Sequence, residues 1–376
     1  MRIPYLNLKA ITSLHLQEIQ KAIADTVESG WYLQGQQNRQ FESSYADYCG
    51  SRYCVGCANG LDALTLTLRS YIEMGLIDEG DEVIVPANTY IASILAITEN
   101  RLTPVFVEPR IDTFQIDDSL IEQHVSIRTR AVMIVNLYGR NAYTEKIADI
   151  CRRHGLLLVI DNAQGHGLQL PAASQHLPHL AVCHSFYPGK NLGALGDGGA
   201  ITTDDDTFAS LFRTLANYGS KKKYHFDYRG RNSRLDELQA AVLNVKLRYL
   251  DSDNSRRRSI AQRYINELSD SLITLPSLDY WHNSVFHVFP ILTKNRDNLQ
   301  HQLANAGIET IIHYPVPPHR QPCLSDYSHL SLPVTERIHR EELSLPCHPA
   351  MTDDEVSYVI SVLNEITYVS PTVNLR

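Results

Sequence analysis

Between residues 53 and 203, short apolar runs alternate with stretches of helical periodicity, and this alternation limits the possible folds more than any other feature of the chain. The runs are Tyr53–Ala58, Glu82–Val85, Pro104–Val107, Ala131–Leu137, Leu156–Ile160, Leu180–Ser185 and Gly199–Thr202. Between them lie helical patterns such as Leu61–Met74, closed by Gly75, and Tyr143–His154, closed by Gly155. Glycine suits such helix ends because it takes the left-handed conformation without steric penalty. Strand and helix in alternation predict an α/β domain built on a mostly parallel sheet. Asp204-Asp-Asp-Thr-Phe208 is expected to cap a further helix running to Gly219. Leu235 to about Leu268 reads as one long, charge-rich connecting helix. Beyond it the pattern thins to strand over Val285–Leu292 and helices over Arg296–Ala306 and Asp353–Val362. The expected division is a large domain over residues 1–250 and a smaller C-terminal α+β domain over residues 251–376. A chain of 376 residues with 43% hydrophobic content can bury the core that two such domains need.

In an open parallel sheet, ligands bind outside the carboxyl ends of the strands. Two chemistry-bearing residues fall at such ends. Leu156-Leu-Leu-Val-Ile160 runs into Asp161-Asn-Ala-Gln164-Gly-His166-Gly167, and His179-Leu-Ala-Val-Cys183 leads to His184-Ser185-Phe-Tyr187-Pro-Gly-Lys190-Asn-Leu-Gly-Ala-Leu-Gly-Asp-Gly-Gly199. A lysine among glycines and small residues can be desolvated, which lowers its pKa and makes its amine a nucleophile. That is what a Schiff-base lysine requires. The segment is not a P-loop, because no Ser or Thr follows the Gly-Lys pair. Singly, Asp161 reads as a turn cap and Lys190 as a solvated loop residue. Together, a strand-end carboxylate and a strand-end lysine are what pyridoxal 5′-phosphate (PLP) needs. The lysine anchors the cofactor, and the carboxylate keeps the ring nitrogen protonated so that the ring withdraws electrons.

Ordered motifs along nearly the whole chain extend this reading. They are Tyr5-Leu-Asn-Leu-Lys9, Gly30-Trp-Tyr-Leu33, Asn59-Gly-Leu-Asp-Ala-Leu64, Gly80-Asp-Glu-Val-Ile-Val-Pro86, Asn88-Thr-Tyr-Ile-Ala92, Asp161 through Gly167, Ser185 through Gly199, Asn232-Ser-Arg-Leu-Asp-Glu-Leu-Gln239 and Pro346-Cys-His-Pro-Ala-Met-Thr352. With them the chain resembles the DegT/DnrJ/StrS family of PLP-dependent nucleotide-sugar aminotransferases, which have the type I, aspartate aminotransferase-like fold.

The resemblance implies a role for each matching position. Lys190 would carry the cofactor and then act as general base and acid, with Asp161 on the ring nitrogen and Gln164 on the phenolic oxygen. Tyr90 would stack on the ring. The cofactor phosphate would rest on a helix N-terminus, a natural anion seat. Most family members place Ser or Thr where this chain has Leu61, so the amides of Gly60 and Leu61 are expected to serve instead, with Ser185 adding a hydroxyl. Asn232, in Gly230-Arg-Asn232, would reach the phosphate from a partner subunit, which makes the enzyme at least a homodimer. His166 reads equally as a site residue or a packing residue. The implied reaction passes the amino group of L-glutamate to the cofactor, giving pyridoxamine 5′-phosphate and 2-oxoglutarate, and then to a keto sugar.

Finer matches, Ser185-Phe-Tyr-Pro-Gly-Lys190 and His313-Tyr-Pro-Val-Pro-Pro-His319, resemble the branch acting at C-3 of dTDP-3-keto-6-deoxyhexoses. The expected substrate is dTDP-3-keto-6-deoxy-D-galactose or its gluco epimer. Tyr187, His313 and Tyr314 would then lie near the sugar, while His313 reads as well as a loop histidine before prolines. The basic run Ser220-Lys221-Lys-Lys-Tyr-His-Phe-Asp-Tyr-Arg229 is either a solvated face or, through Lys221 and Arg229, an attraction for the diphosphate. The alternatives are a 4-keto-sugar aminotransferase, a PLP-dependent sugar dehydratase and a non-catalytic binding protein. Dehydratases of this kind replace the lysine by histidine, and Lys190 argues against one.

A formal net charge of −8 disfavours general nucleic-acid binding. No apolar run approaches the ~18 residues that a membrane span needs, so the expected protein is soluble and cytoplasmic with no membrane partner. The spacing of Cys49, Cys54 and Cys57 matches part of an iron–sulfur pattern. Tyr53–Ala58 nonetheless reads as a buried strand, so no metal is expected there.

Overall fold

The computed structural model describes residues 1–169, 177–269, 272–276 and 283–369. Seven strands form the main sheet: β1 (Tyr53–Cys57), β2 (Glu82–Pro86), β3 (Thr103–Val107), β4 (Thr129–Val135), β5 (Leu157–Asp161), β6 (Ala181–Ser185) and β7 (Gly199–Thr203). Their order is β1-β7-β6-β5-β4-β2-β3. All neighbours pair in parallel except β7, which runs antiparallel to both β1 and β6. The carboxyl ends of β1, β2, β3, β4, β5 and β6 therefore open on one edge.

Side chains on a strand alternate between faces, and the core divides accordingly. Val83, Val85, Met133 and Val159 face the helices Gly60–Glu73, Ile91–Glu99 and Asp206–Ala216, whereas Ile84, Val132, Ile134 and Ile160 face the helix Glu145–His154. Capping sets where these helices begin. Asn59 Oδ1 accepts from the Asp62 amide at 2.8 Å, Thr144 Oγ1 from Ile147 at 3.2 Å and Asp205 Oδ1 from Phe208 at 3.0 Å. Gly155 ends its helix at φ 64°, the left-handed conformation expected of it.

The expected single helix from Leu235 to Leu268 is two, Glu237–Leu247 and Leu250–Glu267. Tyr249 separates them. Its ring stacks on His15 with centroids 3.7 Å apart and its hydroxyl bonds Glu18, contacts with the chain's beginning that local periodicity cannot reveal. Strand over Val285–Leu292 shortens to β8 (Phe289–Leu292), which pairs antiparallel with β9 (Glu342–Leu345). A second core surrounds this pair, containing Ile260, Tyr264, Phe289, Leu343 and Val359 together with Ile3 and Tyr138 from far away in the sequence. Cys54 and Cys57 are buried on β1, as the strand reading expects. Among the described residues, no helix is long and apolar enough to cross a membrane.

Candidate active site at the strand ends

The predicted chemistry-bearing residues converge on the open edge of the sheet. Asp161 ends β5, paired between Val135 of β4 and Cys183 of β6. It is 5% exposed. Ser93 Oγ donates to its Oδ2 at 2.8 Å and the Ala163 amide to its Oδ1 at 3.1 Å. Burial raises its pKa, against the opposing pull of Ser93, Ala163 and Lys190. Each oxygen keeps further acceptor capacity after these bonds. The outcome is a fixed carboxyl group able to share a proton with a basic partner.

Lys190 follows β6 on a turn closed by its own amide, which donates to the Tyr187 carbonyl at 2.8 Å. Burial lowers its pKa to about 8, partly offset by Asp161. Lys246 is lowered to about 8 as well, by burial. The difference between the two is geometric. Lys246 donates its Nζ to the Gly193 carbonyl at 2.5 Å from a helix, whereas Lys190 sits beside the Asp161 carboxyl at the strand ends.

Gly60 opens the helix after β1. A Cβ there would lie 2.5 Å from Ser185 Cβ and 3.0 Å from its Oγ, so only glycine lets this helix start meet the end of β6. The first amides of a helix have no partner within it. Asn59 Oδ1 takes that of Asp62, and the first bond of the helix itself runs from the Ala63 amide to the Asn59 carbonyl. The amides of Gly60 and Leu61 open the same helix, and Gly60 lies against Ser185. Glycine, two amides, a hydroxyl and the positive end of a helix make a cradle suited to a phosphate.

Tyr90 is 52% exposed at the start of the helix Ile91–Glu99, and its ring lies 5.2 Å from that of Tyr314. Gln164 is buried; its Oε1 accepts from the Tyr138 amide at 2.6 Å and its Nε2 donates to Tyr314 Oη at 3.1 Å. An amide nitrogen has two hydrogens, so Gln164 retains one for a ligand. His313 adjoins Tyr314, and burial and the nearby Lys190 charge hold it neutral with a pKa of about 4. Tyr187 is 58% exposed.

His166 is fully buried between the rings of His184 and Phe186, at 6.1 and 5.6 Å. Burial above all holds it neutral. Lys221, Arg229 and Asn232 are exposed, and the neighbours of Asn232 bond the start of the Gly60 helix: Arg231 donates to Asp62 at 2.6 Å and Ser233 Oγ accepts from the Ala58 amide at 3.1 Å. Among the described residues, no hydrogen bond or ion pair of this chain joins them to Lys190.

Four residues of this neighbourhood escaped the sequence reading. Ser93 orients Asp161 and is itself 2.8 Å from Thr89 Oγ1; the i, i+4 spacing of two hydroxyls beside the Asn88–Ala92 motif was its only signal. Tyr138, Glu342 and Ser344 engage His313 and carried no signal, because they lie in segments far apart in sequence.

The DegT/DnrJ/EryC1/StrS aminotransferase family profile matches residues 14–364. The dTDP-3-amino-3,6-dideoxy-alpha-D-galactopyranose transaminase of Aneurinibacillus thermoaerophilus is 48% identical, over 97% of this chain and 100% of that protein. Among solved structures, S. venezuelae DesV in complex with a ketimine intermediate superposes with a TM-score of 0.93 at 42% identity, covering 98% of this chain and 100% of that one. NtdA from Bacillus subtilis, solved with bound cofactor PMP, gives 0.90 at 30% identity over 98% of this chain and 85% of that one. Matches of this extent, on a fold whose strand ends carry Asp161 and Lys190, settle the relationship. The chain belongs to the DegT/DnrJ/EryC1/StrS aminotransferase family.

Proposed function

We propose that the chain transfers the amino group of L-glutamate to C-3 of dTDP-3-keto-6-deoxy-D-galactose, giving the dTDP-3-amino-3,6-dideoxyhexose, with PLP as cofactor. The observation that carries this reading is that Asp161 at the end of β5 and Lys190 just past β6 lie close enough to shift each other's pKa, in a chain 48% identical to a transaminase named for that sugar. The residues present fit the cofactor. A Cβ-free cradle at Gly60 faces Ser185, a buried carboxyl stands at Asp161, and an amine of lowered pKa at Lys190.

When bound, PLP supplies an electron-withdrawing ring that stabilises negative charge on the carbon losing its proton. The chain's own groups do the rest. Gly60, Leu61 and Ser185 would hold the phosphate, and Asp161 would keep a proton on the ring nitrogen. Gln164 would offer its free hydrogen to the phenolic oxygen, and Tyr90 would pack against the ring. Lys190 removes and returns the proton in both halves of the reaction, a role suited to an amine titrating near pH 8. Tyr187, His313 and Tyr314 contact the sugar nucleotide. Asn232 serves the site of a second copy, so the working enzyme is a homodimer, and Lys221 and Arg229 attract the nucleotide diphosphate. Their exposure leaves all three open to a ligand or a second copy and supports that reading. The same reading places the reaction in the cytoplasm.

The test is product analysis by mass spectrometry and NMR after incubation with PLP, L-glutamate and, separately, the 3-keto and 4-keto dTDP-6-deoxyhexoses. An amino group at C-3 of the galacto sugar is expected. An amino group at C-4 would overturn the substrate assignment and leave the family intact.

A further inference from the structure

The hydrogen bonds around Gln164 have a fixed polarity. The Tyr138 main-chain N–H can only donate, and it donates to Gln164 Oε1 at 2.6 Å. This sets the orientation of the amide, so Nε2 is the atom facing Tyr314 Oη at 3.1 Å, and it too can only donate. Tyr314 therefore accepts from Gln164 and keeps its own hydroxyl proton for another acceptor. Its ring lies 5.2 Å from the half-exposed ring of Tyr90, at the strand-end site.

The position of Tyr314 is set by the residue before it. The His313 N–H donates to Glu342 Oε2 at 2.6 Å, its Nδ1 lies 2.8 Å from Ser344 Oγ, and its carbonyl accepts from the Tyr138 hydroxyl. Ser344 Oγ in turn bonds Glu342 Oε1. Glu342 and Ser344 are fully buried on β9, so the His313 main chain is gripped from the second core on one side and by Tyr138 on the other. Burial raises the Glu342 pKa to about 8, which leaves a neutral carboxyl at neutral pH that glutamine can imitate.

We propose that Glu342 is a positioning residue for substrate recognition. By gripping the His313 main chain it sets Tyr314 over Gln164, and Tyr314 donates its hydroxyl proton to an acceptor oxygen of the bound sugar nucleotide. The proposal rests on the aminotransferase reading above and extends it to residues of the second core.

The test separates the two half-reactions under single-turnover conditions. Glu342→Leu should weaken the apparent affinity for the keto sugar nucleotide about five-fold, the scale of one lost hydrogen bond, and leave the glutamate half-reaction within about two-fold of wild type. Glu342→Gln should restore most of the loss. Tyr314→Phe should reproduce it, and the Glu342→Leu/Tyr314→Phe double variant should be no worse than Tyr314→Phe alone. Calorimetric titration with the amino-sugar nucleotide product should show the same order of affinities without turnover. Equal losses in both half-reactions, or additive losses in the double variant, would overturn the proposal. Should Glu342→Leu fail to fold, Tyr138→Phe releases the His313 carbonyl while keeping the main-chain donor to Gln164, and the same contrast is required of it. Absence of a glutamate half-reaction in the wild-type protein would instead remove the aminotransferase reading itself.

Discussion

The site has a floor and a wall, and they are held in different ways. The floor, with Gly60, Asp161, Gln164, Ser185 and Lys190, hangs from strand ends whose positions are fixed by a continuous ladder of main-chain hydrogen bonds. The wall, with His313 and Tyr314, comes from a segment outside the main sheet and is held by side chains of Tyr138, Gln164, Glu342 and Ser344. A ladder places a residue whatever its neighbours' side chains are. A wall held by side chains moves when any one of them changes. Chemistry common to both half-reactions is accordingly assigned to the floor, and substrate choice to the wall.

This contrast can be broken experimentally. The largest effect is expected from Lys190→Ala, which should abolish both half-reactions, by about a thousand-fold or more, while thermal unfolding stays close to wild type. Loss confined to one half would mean that Lys190 does not serve both. Ser93→Ala removes one hydrogen bond from Asp161 and should slow both halves together, by about two- to ten-fold. A selective effect on the sugar half would place Asp161 with the wall.

The smallest effect concerns stability. The Glu342 carboxyl is raised from 4.5 to about 8 in the folded chain, so folding favours its protonated form. Its contribution to stability is full below the unfolded value and is lost as pH rises through about 8. Denaturant unfolding of wild type against Glu342→Gln should therefore show a difference that grows in the variant's favour from about pH 5 to about pH 8. A difference independent of pH would mean that the carboxyl is already ionised in the folded chain.

The floor was legible in the sequence because each of its parts is local. Asp161 terminates an apolar run and Lys190 follows one by a short turn, and the parallel sheet brings neighbouring strand ends together without further information. The Gly60 and Leu61 amides were expected from Leu61 standing where a hydroxyl is usual; the structure adds why residue 60 is glycine, since a Cβ there would meet Ser185 Cβ at 2.5 Å. The wall was legible only as isolated residues. Nothing near Glu342 in the sequence points to His313, because the two meet through pairing of Ile311 with Ser344. The division of the Leu235–Leu268 helix was hidden for the same reason, since the residues that fix Tyr249 are His15 and Glu18.

The central claim is that Lys190 is the lysine that binds PLP, and lowered pKa alone does not select it, because Lys246 is lowered to the same value of about 8. The direct measurement is borohydride reduction of the PLP-loaded protein, followed by proteolysis and mass-spectrometric mapping of the modified lysine. The account predicts a phosphopyridoxyl group on the peptide containing Lys190, lost in Lys190→Ala. The same group on Lys246, or its persistence in Lys190→Ala, would contradict it.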